Sequence, residues 1–143
     1  MNRPVFEHQS NVALVDIHSK NDMRIRLFGT GLTEIAGTDL TGADLLSNIH
    51  PDAKAEATRI VWGAVTTPCG YPMRRLLQRG VHEIRALTLG LPLRREKGDV
   101  RSLVGFMSRE GYTDEINTAK ANVYIQEIKL VRWVDIGAGI PQG

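Results

Sequence analysis

The chain has 143 residues, a formal net charge of +2, 42% hydrophobic and 24% charged residues, and one cysteine. This fits one domain that can bury about two thirds of its unfolded surface without a disulfide or metal, and it excludes a disordered composition. So mild a charge gives no reason to expect nucleic acid as a partner, and no apolar run approaches the roughly 18 residues of a membrane span.

Residues 1–10 are polar, contain a proline and are expected to be a flexible segment. Asn11 to His18, rich in β-branched residues, predicts a strand. After the turn residues Ser19 to Asp22, the alternation of Met23, Ile25 and Leu27 with Arg24 and Arg26 predicts a second strand, half buried. Gly29 ends it. Thr30 or Thr33 is placed to cap a short helix through Leu32, Ile35 and Ala36, which Gly37 stops. Thr41-Gly42-Ala43-Asp44 resembles a capping box and predicts a further short helix carrying Leu45, Leu46 and Ile49. His50-Pro51-Asp52 opens a third helix, because proline is tolerated at the first helical position. There Ala53, Ala57, Ile60 and Ala64 recur at helical spacing with Val61 and Val65 beside them, up to Thr67-Pro68.

Beyond Pro68 the period returns to two. Gly70 to Gln78, Val81 to Leu93 and Val100 to Ser108 predict three strands, separated by Arg79-Gly80 and Glu96-Lys97-Gly98-Asp99. In the middle one Val81, Leu87, Leu89, Leu91 and Leu93 share a face. Strands joined by short turns are antiparallel, so the expected fold is α+β: about five antiparallel strands with short helices packed on one face. Asp114 to Ala121 has helical character. Ile128 to Ile136 is dense in β-branched and aromatic residues and must pack on the sheet or on a partner. The expected organisation is a flexible segment 1–10, a domain 11–112 and a C-terminal extension 113–143.

Arg26-Leu27-Phe28-Gly29-Thr30, then Leu40-Thr41-Gly42 and Leu45-Leu46, resemble an alphaproteobacterial PAS-type family with an Arg-Leu-x-Gly-Thr segment and a Leu-x-Gly helix entry. Leu91-Pro92-Leu93, Val104-Gly105 and the C-terminal run Trp133 to Pro141 are similar to the same family, as is the element order over residues 10–141. The resemblance implies a stand-alone sensory or regulatory protein of signal transduction. Such a module holds a small molecule between sheet and helices, or serves as a dimerisation or docking surface. An apolar ligand pocket is then expected among Ile35, Leu46, Ile49, Trp62, Val65, Leu87, Leu89 and Phe106.

Chemical signatures are sparse. His50 is a candidate haem ligand because some PAS domains bind haem through a helix histidine, but a histidine directly before Pro51 fits a helix boundary better. Cys69, in Thr67-Pro68-Cys69-Gly70-Tyr71, lacks the helical setting of the photoactive cysteine in flavin-binding light sensors, so no haem or flavin cofactor is expected. His8, His18 and His82 are scattered without metal-ligand spacing, and no Gly-x-Ser-x-Gly elbow exists. Arg74, Arg75, Arg79, Arg85, Arg94, Arg95 and Arg101 crowd the strand half; Arg74, Arg75 and Arg85, with Trp133, are candidates for docking a partner. The expected protein is a non-enzymatic homodimer, cytoplasmic because Met1 to His8 has no apolar signal core, with no nucleic-acid or membrane partner. The alternative is a small α+β enzyme with an unrecognised His/carboxylate site.

Overall fold

The computed structural model describes residues 11–93, 101–110 and 123–142. The expected segment 1–10, the turn 96–99, the helix 114–121 and the residues His8, Arg94 and Arg95 lie outside this range.

Strands β1 (Val12–Ser19) and β2 (Asp22–Phe28) form a hairpin. Helices α1 (Thr30–Ala36) and α2 (Pro51–Thr66) follow, then β3 (Cys69–Arg79), β4 (His82–Leu93), β5 (Arg101–Glu110), β6 (Tyr124–Leu130) and the short β7 (Val134–Asp135). One antiparallel sheet results, in the order β2-β1-β5-β4-β3-β6, with β7 also pairing to β3. The α+β class expected from the periodicity is what the chain adopts. Its five strands are extended by two that come from the apolar C-terminal run.

The helices cover one sheet face. Ala53, Ala57, Ile60, Val61, Ala64 and Val65 are all buried on α2. Ile60, Val61, Ala64 and Val65 meet Val15, Ile17 and Met23 of the hairpin and Tyr71, Met73 and Leu103 of the central strands, and Ala53 and Ala57 pack with Leu77, Ile84 and Met107. Outward alternate positions of the same strands remain in solvent, as expected for an antiparallel sheet covered on one side.

Three local expectations are corrected. Residues 41–49 form turns instead of a helix. The Gly42 and Leu45 amides donate to the carbonyls of Ile25 and Met23, and the Ile25 amide donates to Ala43. Pairing with the open edge of β2 thus satisfies these backbone groups, and Asp44 accepts from the Leu46 amide (3.0 Å) instead of capping a helix. At α1 the N-cap is Gly29, and the Thr33 hydroxyl donates back to its carbonyl. Leu27 lies on the outer face, 50% exposed, because a register shift between Leu14 and Val15 turns Phe28 inward in its place.

Arg79 has a structural role that its place beside a turn glycine hid. It is buried, and its guanidinium donates to the carbonyls of Glu34 and Ile35 (3.3 Å to the latter) at the end of α1. A cation satisfies orphan carbonyls at a helix C-terminus and complements its dipole. Arg79→Met should lower unfolding free energy by about 1.5–3 kcal/mol, the range for a charged hydrogen bond. Urea denaturation measures this, and an unchanged midpoint would refute it.

Candidate functional site

A cavity of about 130 Å³ lies between the helices and the inner face of the sheet. Its existence follows from what the strands place there. Ala13, Gly105 and Gly90 face inward in register across β1, β5 and β4, followed on β4 by Thr88 and Ala86. Small side chains on three neighbouring strands leave space that larger ones would fill. Ile25, Phe28, Leu32, Ile35, Leu40 and Ile49 line it from the hairpin and the segments beyond, and Ala57 and Val61 line it from α2.

The remaining wall is the C-terminal run. Val123, Ile125 and Ile128 all line the cavity. Backbone bonds fix that wall on both flanks: Val123 donates to Ala36 (2.7 Å), Ile125 donates to Asn48 (2.9 Å), and His50 donates to Ile125 (2.8 Å). On the other side β6 pairs along β3 from Met73 to Gln78.

Strand β3 contributes the polar part. Tyr71, Met73, Arg75 and Leu77 alternate inward. The Tyr71 ring lies directly over Gly90, where an added Cβ would stand 2.2 Å from the ring. Burial holds the Tyr71 hydroxyl well above its usual pKa against the opposing pull of Arg75. Burial likewise pushes the Arg75 guanidinium down to about 10, so it stays cationic at neutral pH. Arg75 donates through Nη2 to the Met107 sulfur at 2.9 Å. Among the described residues, Arg75 Nε and Thr88 Oγ1 are buried without a hydrogen-bond partner.

The structure divides the expected pocket residues. Ile35 and Ile49 line the cavity. Leu46 packs beside that core, and Val65 is buried in the adjoining cluster without reaching the cavity. Trp62 points away, toward an outer groove with Trp133 and Pro141, and lies under the Arg101 guanidinium at 5.3 Å. Leu87, Leu89 and Phe106 are on the opposite face of the sheet, about two-fifths exposed. The larger apolar residues of β4 mark its outer face, because the inner face is occupied by the small residues of the cavity floor. Tyr71, Arg75 and Thr88 were not expected there. The weak trace they leave in the sequence is the alternation of Tyr71, Met73, Arg75 and Leu77.

Of the docking candidates, Arg74 and Arg85 are exposed on the outer face beside Leu87 and Leu76, their cross-strand partners. Arg75 points inward. Trp133 packs within the chain, edge-on to Tyr71 at 6.3 Å and beneath Arg59.

The two residues weighed as cofactor ligands are engaged elsewhere. His50 caps α2, with Nδ1 accepting from the Asp52 amide at 3.1 Å. Cys69 opens β3, fully buried opposite Asp135. Burial, and secondarily the Asp135 charge, raises its thiol pKa, which opposes thiolate reactivity. A flavin does not fit the cavity as it stands, since pockets for ligands of that size span roughly 300–1,000 Å³, and Cys69 is not on the cavity wall. Among the described residues no three His, Cys, Asp or Glu side chains gather as a metal site, and no helix is long and apolar enough to cross a membrane.

A family model described as PAS domain matches residues 3–108. Among solved structures the chain is similar to the blue-light photoreceptor Aureochrome1 LOV. The dark structure aligns with TM-score 0.55 and 18% identity over 81% of this chain and 85% of that one. The light-state structure aligns with TM-score 0.53 and 18% identity over 82% and 93%. An RsLOV variant aligns with TM-score 0.51 and 16% identity over 82% and 74%. At these identities the likeness establishes the fold. No curated protein matches the sequence.

The two floor glycines should respond oppositely to the same change. In Gly90→Ala the Tyr71 ring must move, at a cost of about 1–3 kcal/mol for overpacking. In Gly105→Ala the new methyl meets only Thr88 Cγ2 at 3.9 Å, so a gain of about 0.4–1 kcal/mol is expected from reduced unfolded-chain entropy. Paired denaturation curves check both signs.

Proposed function

Because the chain belongs to the PAS domain family, we propose that it is a sensory or regulatory module of signal transduction. Its inner cavity takes a small, largely apolar ligand, its outer sheet face meets a protein partner, and it performs no catalytic step of its own. The segments quoted above further favour the alphaproteobacterial members of that family. The observation that carries the ligand reading is the cavity itself, lined on all sides by named apolar residues and bounded by β6.

A signal follows from that boundary. Val123, Ile125 and Ile128 touch the cavity while the backbone of the same strand holds α1, the start of α2 and β3 together. An occupant that packs better against one position of β6 than another shifts the population of those positions, and with it the surface offered to a partner. Among the described residues the polar side chains on the cavity wall are Asn48, Tyr71, Arg75 and Thr88. That set includes no histidine or carboxylate for proton transfer, which favours a binding module over the small-enzyme alternative.

A homodimer through the outer face is the proposed assembly. Leu27, Leu87, Leu89 and Phe106 are 39–50% exposed there. Phe106 lies directly between Val12 and Leu89 in register. A contiguous apolar surface of this kind is usually covered in the working state.

Two measurements test these readings. Mass spectrometry of gently purified protein should find a co-purified small molecule, and hydrogen exchange should show residues 123–130 better protected when it is bound. A protein that carries nothing and shows the same exchange with every small molecule added would overturn the ligand reading. Sedimentation at micromolar concentration should give a dimer that Phe106→Glu converts to monomer. A monomeric native chain would overturn the assembly.

A further inference from the structure

We infer that the ligand of this cavity is an anion, a small monocarboxylate with an apolar body, whose carboxylate pairs with Arg75 and accepts from Thr88. The inference rests on the ligand reading above and adds the chemical class.

Arg75, half-buried with its Nε closed off from solvent, carries an uncompensated charge. A guanidinium remains protonated in any protein environment, and moving one out of water is costly unless an anion accompanies it. Arg75 faces the cavity from β3, yet its one hydrogen bond there is to a thioether, a weak acceptor. Its Nε has no partner among the described residues. Among the described residues no Asp or Glu side chain lines the cavity. Strand β3 carries four residues of the wall at alternate positions, and three of them, Tyr71, Met73 and Leu77, are what an apolar wall would use. An arginine in the fourth place has a physical reason if something negative meets it.

A second unpartnered group lies in the same wall. Thr88 pairs with Met107 across β4 and β5, and Met107 is the residue on which the guanidinium rests. The buried Thr88 hydroxyl and Arg75 Nε therefore converge on one side of the cavity. A carboxylate, with two oxygens, accepts from both, and the charge-assisted bond is the stronger kind. Apart from Asn48 and Tyr71, the rest of the described lining, including Ile25, Leu32, Ile35, Ile49, Val61 and Ile125, is hydrocarbon, so the rest of the ligand must be largely apolar. Volume limits its size: a dry cavity of roughly 150 Å³ holds benzene, and this one is about 130 Å³. Straight or branched acids of about four carbons, no bulkier than benzene, have that size.

Calorimetric titration of the full chain with butyrate, isobutyrate and 1-butanol tests the assignment. Butyrate or isobutyrate should bind at least about tenfold more tightly than the alcohol, as charge-assisted pairing implies. Arg75→Met should remove that preference while leaving 1-butanol binding intact, Arg75→Lys should retain part of it, and Thr88→Val should weaken the acid a few-fold. Equal binding of acid and alcohol, or an acid affinity unmoved by Arg75→Met, would overturn the anion assignment and leave an apolar pocket standing. Binding of none of the three would overturn the anion assignment and the cavity's ligand role together. If Arg75→Met does not fold, the comparison rests on Arg75→Lys and Thr88→Val, where unchanged acid affinity in both counts against the proposal.

Discussion

Alternation along one strand organises this molecule. Tyr71, Met73, Arg75, Leu77 and Arg79 follow one another at every second position of β3, and each does something different on the helix side of the sheet. Tyr71 fills the space above Gly90, Met73 and Leu77 build the core, Arg75 brings a charge to the cavity, and Arg79 closes the end of α1. A slip of one residue would exchange all five for Gly70, Pro72, Arg74, Leu76 and Gln78. The register is held from both sides, by nine paired positions with β4 and six with β6.

The cavity is the price of small residues on the neighbouring strands. Ala13, Ala86, Gly90 and Gly105 bring no bulk to the inner face, and Leu87, Leu89 and Phe106 lie on the other side. This inversion explains why the fold was legible in the sequence while half of the site was not. Period-two segments, turn glycines and the proline-led helix are local signals, so the order of elements could be read from them. Which face of β4 is buried is not a local property. Leu87 and Leu89 outweigh Ala86, Thr88 and Gly90 in hydrophobicity, so the pattern pointed to the wrong face. Only the pairing of Ala86 with Arg75 and of Gly90 with Tyr71 reveals which positions face the helices.

Residues 41–49 teach a related lesson. Their capping-like pattern and apolar spacing suit a helix, but β2 is the edge of the sheet and its carbonyls need donors. Gly42 and Leu45 supply them, and tertiary pairing overrides local propensity. The same competition turned Leu27 outward, where a bulge in the hairpin shifts the phase of the alternation. Neither effect has a marker in the residues themselves.

Strand β6 follows, in chain order, everything it encloses. A ribosome adds residues at about 5–20 per second, so the five strands and two helices before it have seconds in which to associate before Val123, Ile125 and Ile128 can join them. During that interval the cavity is an open trough on the emerging polypeptide, one wall short of the finished protein. The wall that completes it is therefore the last to be synthesised, and whatever lies in the trough at that moment meets Val123, Ile125 and Ile128 as they pack beside it.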